Sequence, residues 1–260
     1  MRRARSRGSA AAAVGVLLLG SCALRQGQRY SDFITPAPLG PPEYLVLGFL
    51  GGWEPWDNDE RWVRKLALKL RAQNLPGVHV ETLANSKRKL ALELIENVYD
   101  RDRDGSLDAA ERDEVRLILY GHSFGGAAVV KLARRLQSRE IPVLLTVQID
   151  SVGLNDGEIP ANVRAAANLH QPNGWFIKGE TPIRAEDPAK TEILGNIAYD
   201  YSDKTVDLSH VGWFKKLFRS AHTKIGNDPD VWAKVEELIL DAIEADRARS
   251  RRSTEAVKQS

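Results

Sequence analysis

The chain has 260 residues, 43% of them hydrophobic and 28% charged, which is enough for a substantial core and excludes a largely disordered protein. The net charge of +2 is unevenly placed: of the 37 Lys and Arg residues, four (Arg2, Arg3, Arg5, Arg7) stand in residues 1–21, which hold no acid, and the other 33 face 35 Asp and Glu. Beyond residue 21 no basic excess favours nucleic acid, and the single cysteine, Cys22, excludes an intramolecular disulfide and a cysteine-based metal cluster.

Residues 1–21 run from the arginines through Ala10–Ala13 and Val14–Leu19 to Gly20-Ser21, a basic segment followed by a short apolar one, as in a secretory signal. The apolar run is too short to span a bilayer. Its end, Leu19-Gly20-Ser21-Cys22, resembles a bacterial lipobox. The resemblance implies cleavage before Cys22, lipid on that residue, and a protein held at the bacterial cell envelope by a lipid anchor. Residues 22–42 carry Pro36, Pro38, Pro41 and Pro42, which disfavour helix, and read as a tether.

One domain is expected over 43–246. Residues 44–49 are a short apolar run ending at glycines and predict a buried strand. Trp62, Val63, Leu66 and Leu70 have helical spacing within 59–73, and Pro76-Gly77 closes that helix. A strand is expected over 78–82, then a helix capped by Asn85 or Ser86 and running to Tyr99.

Residues 100–111 fill the diagnostic places of an EF-hand loop: Asp100, Asp102, Asp104, Asp108 and Glu111 at the liganding places, Ser106 offering a carbonyl, and Gly105 at the sharp turn. Carboxylates this close repel one another unless a cation neutralises them, so Ca2+ is the expected cofactor. The following strand begins too soon for a full exiting helix, so the hand is truncated. It has no second hand to pair with, and a structural clamp is expected rather than a sensor.

Strand 116–120, helix 125–136 and strand 143–149 continue the alternation. Strands at 163–169 and 196–201 are weaker expectations, residues 229–245 predict a last helix, and 247–260 a polar, basic, frayed tail. Nearly continuous apolar strands alternating with amphipathic helices predict an α/β fold with a mostly parallel sheet covered on both faces. Within residues 210–220, Val211, Phe214, Leu217 and Phe218 share one helical face and cations the other, fitting either a core helix or a lid resting on lipid.

Between strand 116–120 and helix 125–136 lies Gly121-His122-Ser123-Phe124-Gly125, the G-x-S-x-G pattern in a strand–turn–helix setting. Over residues 44–245 the chain resembles the α/β-hydrolase superfamily, of the lipase, esterase and thioesterase kind. The resemblance implies that Ser123 is a nucleophile, with oxyanion donors from the backbone of Phe49 (or Leu50) and of Phe124. Where many lipases have His-Gly at the start of the first glycine loop this chain has Leu47-Gly48, which removes no backbone donor. The acid is expected at Asp150, with Asp187 as rival, and the histidine at His222, with His210 as rival. His122 is expected to point away from the chemistry. Trp53 and Trp56 either wall an acyl pocket or pack. The implied protein is a monomeric serine hydrolase of a small-molecule or lipid ester or thioester. An acyltransferase, or a non-catalytic calcium-dependent binding protein on the same fold, stays open.

Overall fold

The computed structural model describes residues 27–52, 54–173, 182–209 and 221–259. Trp53, Cys22, His210 and the amphipathic segment 210–220 lie outside the described residues.

Among the described residues six strands form one sheet in the order β2-β1-β3-β4-β6-β8, with every neighbouring pair parallel. They are β1 (Tyr44–Leu50), β2 (Val78–Ala84), β3 (Leu117–His122), β4 (Val143–Ile149), β6 (Val163–His170) and β8 (Glu192–Ala198). A two-residue pair outside this sheet, β5 (Glu158–Ile159) with β7 (Arg184–Ala185), has no signal in the sequence. The helices are α1 (Trp62–Ala72), α2 (Arg88–Tyr99), α3 (Ala109–Glu114), α4 (Phe124–Gln137), α5 (Ala221–Ile225) and α6 (Pro229–Gln259). This is the expected mostly parallel α/β sheet with helices on both faces, with the acidic loop 100–111 between α2 and β3.

The two-residue period of the strands sorts their side chains onto two cores. Leu45, Leu47 and Phe49 of β1 and Leu117 and Leu119 of β3 pack with α2 and α4. Tyr44, Val46 and Leu50, with Ile118 and Tyr120, pack on the other face with α1, α5 and α6, where Trp62 stacks on Trp232 at 6.3 Å. All seven residues of β1 are buried, because helices cover both sides of a central strand.

Several expectations are corrected. The tether is not free along its whole length: from residue 27 it lies against the domain as a strap. Gln28 donates to Thr82 O at 2.7 Å, the N–H groups of Ile34 and Thr35 and the Thr35 hydroxyl all donate to Glu81, and Leu39 is buried in the core. Prolines exclude helix here, but an extended chain still docks where side chains offer partners. Residues 247–259 are the end of α6 rather than a frayed tail, since no proline or glycine interrupts them. The last strand is 192–198 instead of 196–201. It is an edge strand with alternating exposure, and so carries a weaker apolar signal. Asn85 does not cap α2; its side chain donates to Gly52 O across the sheet edge. Among the described residues no helix is long and apolar enough to cross a membrane.

Candidate active site

The carboxyl edge of the sheet gathers the predicted residues. β3 ends at His122, and Ser123 turns the chain into α4 with φ 57° and ψ −125°, a backbone region that side chains rarely occupy and that costs about 1–3 kcal/mol. The turn is tight enough that a Cβ on Gly121 would stand 2.5 Å from the Gly125 carbonyl, and one on Gly125 2.0 Å from Phe49 O. These two glycines allow the elbow to form at all. Its backbone is tied down by Ser123 N–H donating to Ile149 O at 2.9 Å and Val152 N–H to Ser123 O at 3.1 Å.

Three residues far apart in the chain meet here. His222 Nε2 lies 3.0 Å from Ser123 Oγ, and His222 Nδ1 lies 2.6 Å from Asp150 Oδ2. Asp150 is wholly buried and follows the last residue of β4. A carboxylate only accepts, so Nδ1 carries the proton toward Asp150 and Nε2 is left to accept from the serine hydroxyl. The rival acid, Asp187, is elsewhere, accepting from Ala189 N–H in its own turn and facing Lys190.

Gln171 also belongs to this cluster and had no motif to announce it. It follows β6, the neighbour of β4, and register brings it beside Asp150. Its side-chain amide donates to Asp150 Oδ2 at 3.2 Å and its backbone N–H to Oδ1 at 3.4 Å. At the end of the same strand, burial holds the His170 imidazole below its usual pKa and favours the neutral ring, against the opposing pull of Asp150.

His122 corrects a further expectation, that it points away from His222 and Ser123. Its ring stacks on that of His222, with centroids 5.0 Å apart and planes 22° apart. Parity explains it: His122 shares a strand face with Ile118 and Tyr120, and that face is covered by Ala221 and Ile225 of α5. A Cβ on Gly226 would come within 2.6 Å of the His122 ring, so the loop after α5 is also fitted to it.

The helix that carries His222 is clamped from behind. Asp228 accepts from the Tyr201 hydroxyl at 2.7 Å and pairs with Lys204 at 2.6 Å, while Lys224 Nζ donates to the carbonyls of Tyr201 and Lys204 at 3.0 Å. Burial lowers the Lys204 pKa, but Asp228 and Asp230 more than offset it and hold the ammonium above the usual lysine range. Burial, with the Asp228 hydrogen bond, raises Tyr201.

For the oxyanion donors, Phe124 is the first residue of α4, and N–H groups of a first helical turn have no acceptor within the helix. Phe49 is the sixth residue of β1, and its carbonyl faces Gly125. The backbone of Gly51 also lies beside Ser123, where an added Cβ would stand 3.2 Å from Ser123 Cβ. The strand runs one residue further than its apolar pattern suggested, to Leu50, directly before Gly51. Trp56 is partly buried and packs against the core, with Arg64 5.8 Å above its ring.

In the acidic loop 100–111, carboxylate oxygens of Asp100, Asp102 and Asp104 all lie within 4.8 Å of one another. Asp104 N–H and Gly105 N–H donate to Asp100, and Gly105 has φ +90°, so the loop turns where the motif requires. Asp108 caps α3, a helix of one and a half turns, through Glu111 N–H at 2.8 Å. Glu111 is not in the three-carboxylate group; its oxygens accept from the N–H groups of Arg101, Asp102 and Asp108. The Asp102 carboxyl is lowered by the Asp104 N–H but raised more by partial desolvation and by the charges of Asp104 and Glu111, for a net upward shift. Hard oxygen donors under mutual repulsion fit a hard divalent cation.

No family model matches this chain, and no curated protein matches it. Among solved structures it is similar to the type II thioesterase BorB from the borrelidin biosynthetic cluster, at 10% identity and a TM-score of 0.39, covering 83% of this chain and 96% of that one. It is similar also to the NocB thioesterase domain in covalent complex with a fluorophosphonate nocardicin G analogue, at 11% identity and a TM-score of 0.37, covering 77% and 94%. An acetyl xylan esterase gives 13% identity and a TM-score of 0.38, covering 79% and 99%. In this chain the elbow serine, the histidine and the buried aspartate form one hydrogen-bonded line at the carboxyl edge of a parallel sheet.

Proposed function

We propose that this protein is a serine hydrolase that cleaves a carboxylic ester or thioester through an acyl-enzyme. The observation that carries the reading is the unbroken path from Ser123 Oγ through the His222 ring to Asp150. In the first step Ser123 Oγ attacks the carbonyl carbon as His222 Nε2 takes its proton, and Asp150 stabilises the imidazolium. The same proton then goes to the leaving oxygen or sulfur. Water, deprotonated by His222, releases the acid and restores the serine. The oxyanion faces Phe124 N–H and the backbone where β1 passes from Phe49 and Leu50 into the glycine loop, where each donor contributes about 3 kcal/mol. Asn85 steadies that loop by donating to Gly52 O.

We propose further that Ca2+ is bound by Asp100, Asp102 and Asp104 with Ser106, Asp108 and Glu111 beside them. The ion supplies charge neutralisation that fixes α2 and α3 ahead of β3, and takes no part in bond cleavage. Cys22 carries the lipid that holds the protein at the cell envelope.

The test is covalent labelling by a fluorophosphonate together with hydrolysis of p-nitrophenyl and thioester substrates of increasing chain length. Ser123→Ala is expected to lose labelling and to lose turnover by roughly 10⁶-fold, with little change in melting temperature. Labelling or turnover that survives in Ser123→Ala would sink the assignment.

A further inference from the structure

The docked strap runs in a direction that bears on the substrate. It starts at the carboxyl edge of the sheet, where Gln28 bonds Thr82 O and Ala84 N at the end of β2. It then passes Glu81 and reaches the amino edge at Leu39 and Gly40, before β1 begins. Thr82 to Ala84 are level with Gly48 to Leu50, and Phe49 is level with Gly121, so Gln28 and Ser123 share one edge of the sheet. β2 and β3 are separated by β1 alone, which puts their ends about 10 Å apart. Between Cys22 and Gly27 the chain extends at most about 17 Å.

Two further observations point the same way. Among the described residues four large apolar side chains are exposed, and two of them, Phe124 and Leu154, stand at this edge, Leu154 at 81% exposure. The arginine-rich end of α6 leaves from the opposite edge: Asp246 pairs with Arg116 and Arg164 before or at the start of β3 and β6, and Arg247 lies over the Tyr44 ring at 5.4 Å.

We infer that the lipid anchor holds the carboxyl edge against the membrane, so that the substrate is an ester or thioester whose acyl chain resides in the same leaflet. This rests on the hydrolase and anchor readings above. A tether of five residues keeps Ser123 within a few nanometres of the bilayer and raises the effective concentration of membrane-resident substrate, while leaving access for soluble esters unaltered.

The experiment uses the full lipidated chain on phosphatidylcholine vesicles. Cys22 is the only cysteine and its thiol is taken by lipid, so Leu154→Cys and Arg251→Cys each provide one fluorophore position. With nitroxide-labelled lipid in the vesicles, quenching is expected to be several-fold stronger at 154 than at 251. In a second arm, a thirty-residue Gly/Ser insert after Ala23 is expected to slow hydrolysis of a vesicle-embedded long-chain ester several-fold and to leave p-nitrophenyl butyrate unaffected. Equal quenching, stronger quenching at 251, or an insert that changes neither rate overturns the inference while the hydrolase reading stands. Protein that stays off the vesicles overturns it through the anchor. Quenching at 154 with neither ester cleaved overturns it through the hydrolase reading.

Discussion

At the scale of single residues, Asp150 is held from several sides, as the elbow serine is. Asp150 sits at φ 42°, wholly buried, and its two oxygens accept from His222 and twice from Gln171. On the proposed reading the Gln171 amide fixes the plane of the carboxylate and thereby aims the histidine, as a positioning residue. Gln171→Leu leaves one oxygen with a lost donor to a charged group, an effect of about 1.5–3 kcal/mol. A fall in kcat of roughly 10–100-fold with KM nearly unchanged is the expected result. Unchanged kcat would remove Gln171 from the site. Ser123 could be found from the chain because glycines must flank it at fixed places. Gln171 and the stacking of His122 could not, since both depend on which strand lies next to which.

At the scale of elements, the segment between α2 and β3 is short and strongly acidic. Its carboxylates converge at the end of a helix that packs in the core, and the next strand leads into the Ser123 elbow. Filling the site at one hundred times its dissociation constant adds about 2.7 kcal/mol to folding stability. In a domain of this size that is a rise in melting temperature of about 5–10 °C. Calcium is expected to raise the melting curve of the wild type, chelator to reverse it, and Asp100→Ala with Asp104→Ala to remove the response. Identical curves with calcium and chelator would end the calcium proposal. The spacing of the acids was legible because liganding places follow the chain itself. The engagement of Glu111 with three backbone N–H groups was not, because it depends on how α3 docks.

At the scale of the whole molecule, residues 27–42 are part of the fold. Leu39 fills the core beneath α2, and Glu81, 1% exposed, accepts from Ile34 and Thr35 of the strap as well as from Arg71. Burial of one leucine contributes about 1.5–3 kcal/mol, and loss of the strap also takes donors from a buried carboxylate. A chain starting at residue 27 is expected to melt like the mature protein, and one starting at residue 43 to melt many degrees lower or to aggregate. Equal stability of the two would return residues 27–42 to the status of a tether. The sequence by itself determined the alternation of strand and helix, the elbow around Ser123, the acidic loop and the lone Cys22. Each of these is a local pattern, set by periodicity, by glycine at tight turns or by spacing along one loop. Only the tertiary structure decided that Asp150 rather than Asp187 meets His222, that His122 and Gln171 brace them, and that the proline-rich strap starts at the edge that holds Ser123. Those are outcomes of strand order and register, and the partners involved lie tens of residues apart in the chain.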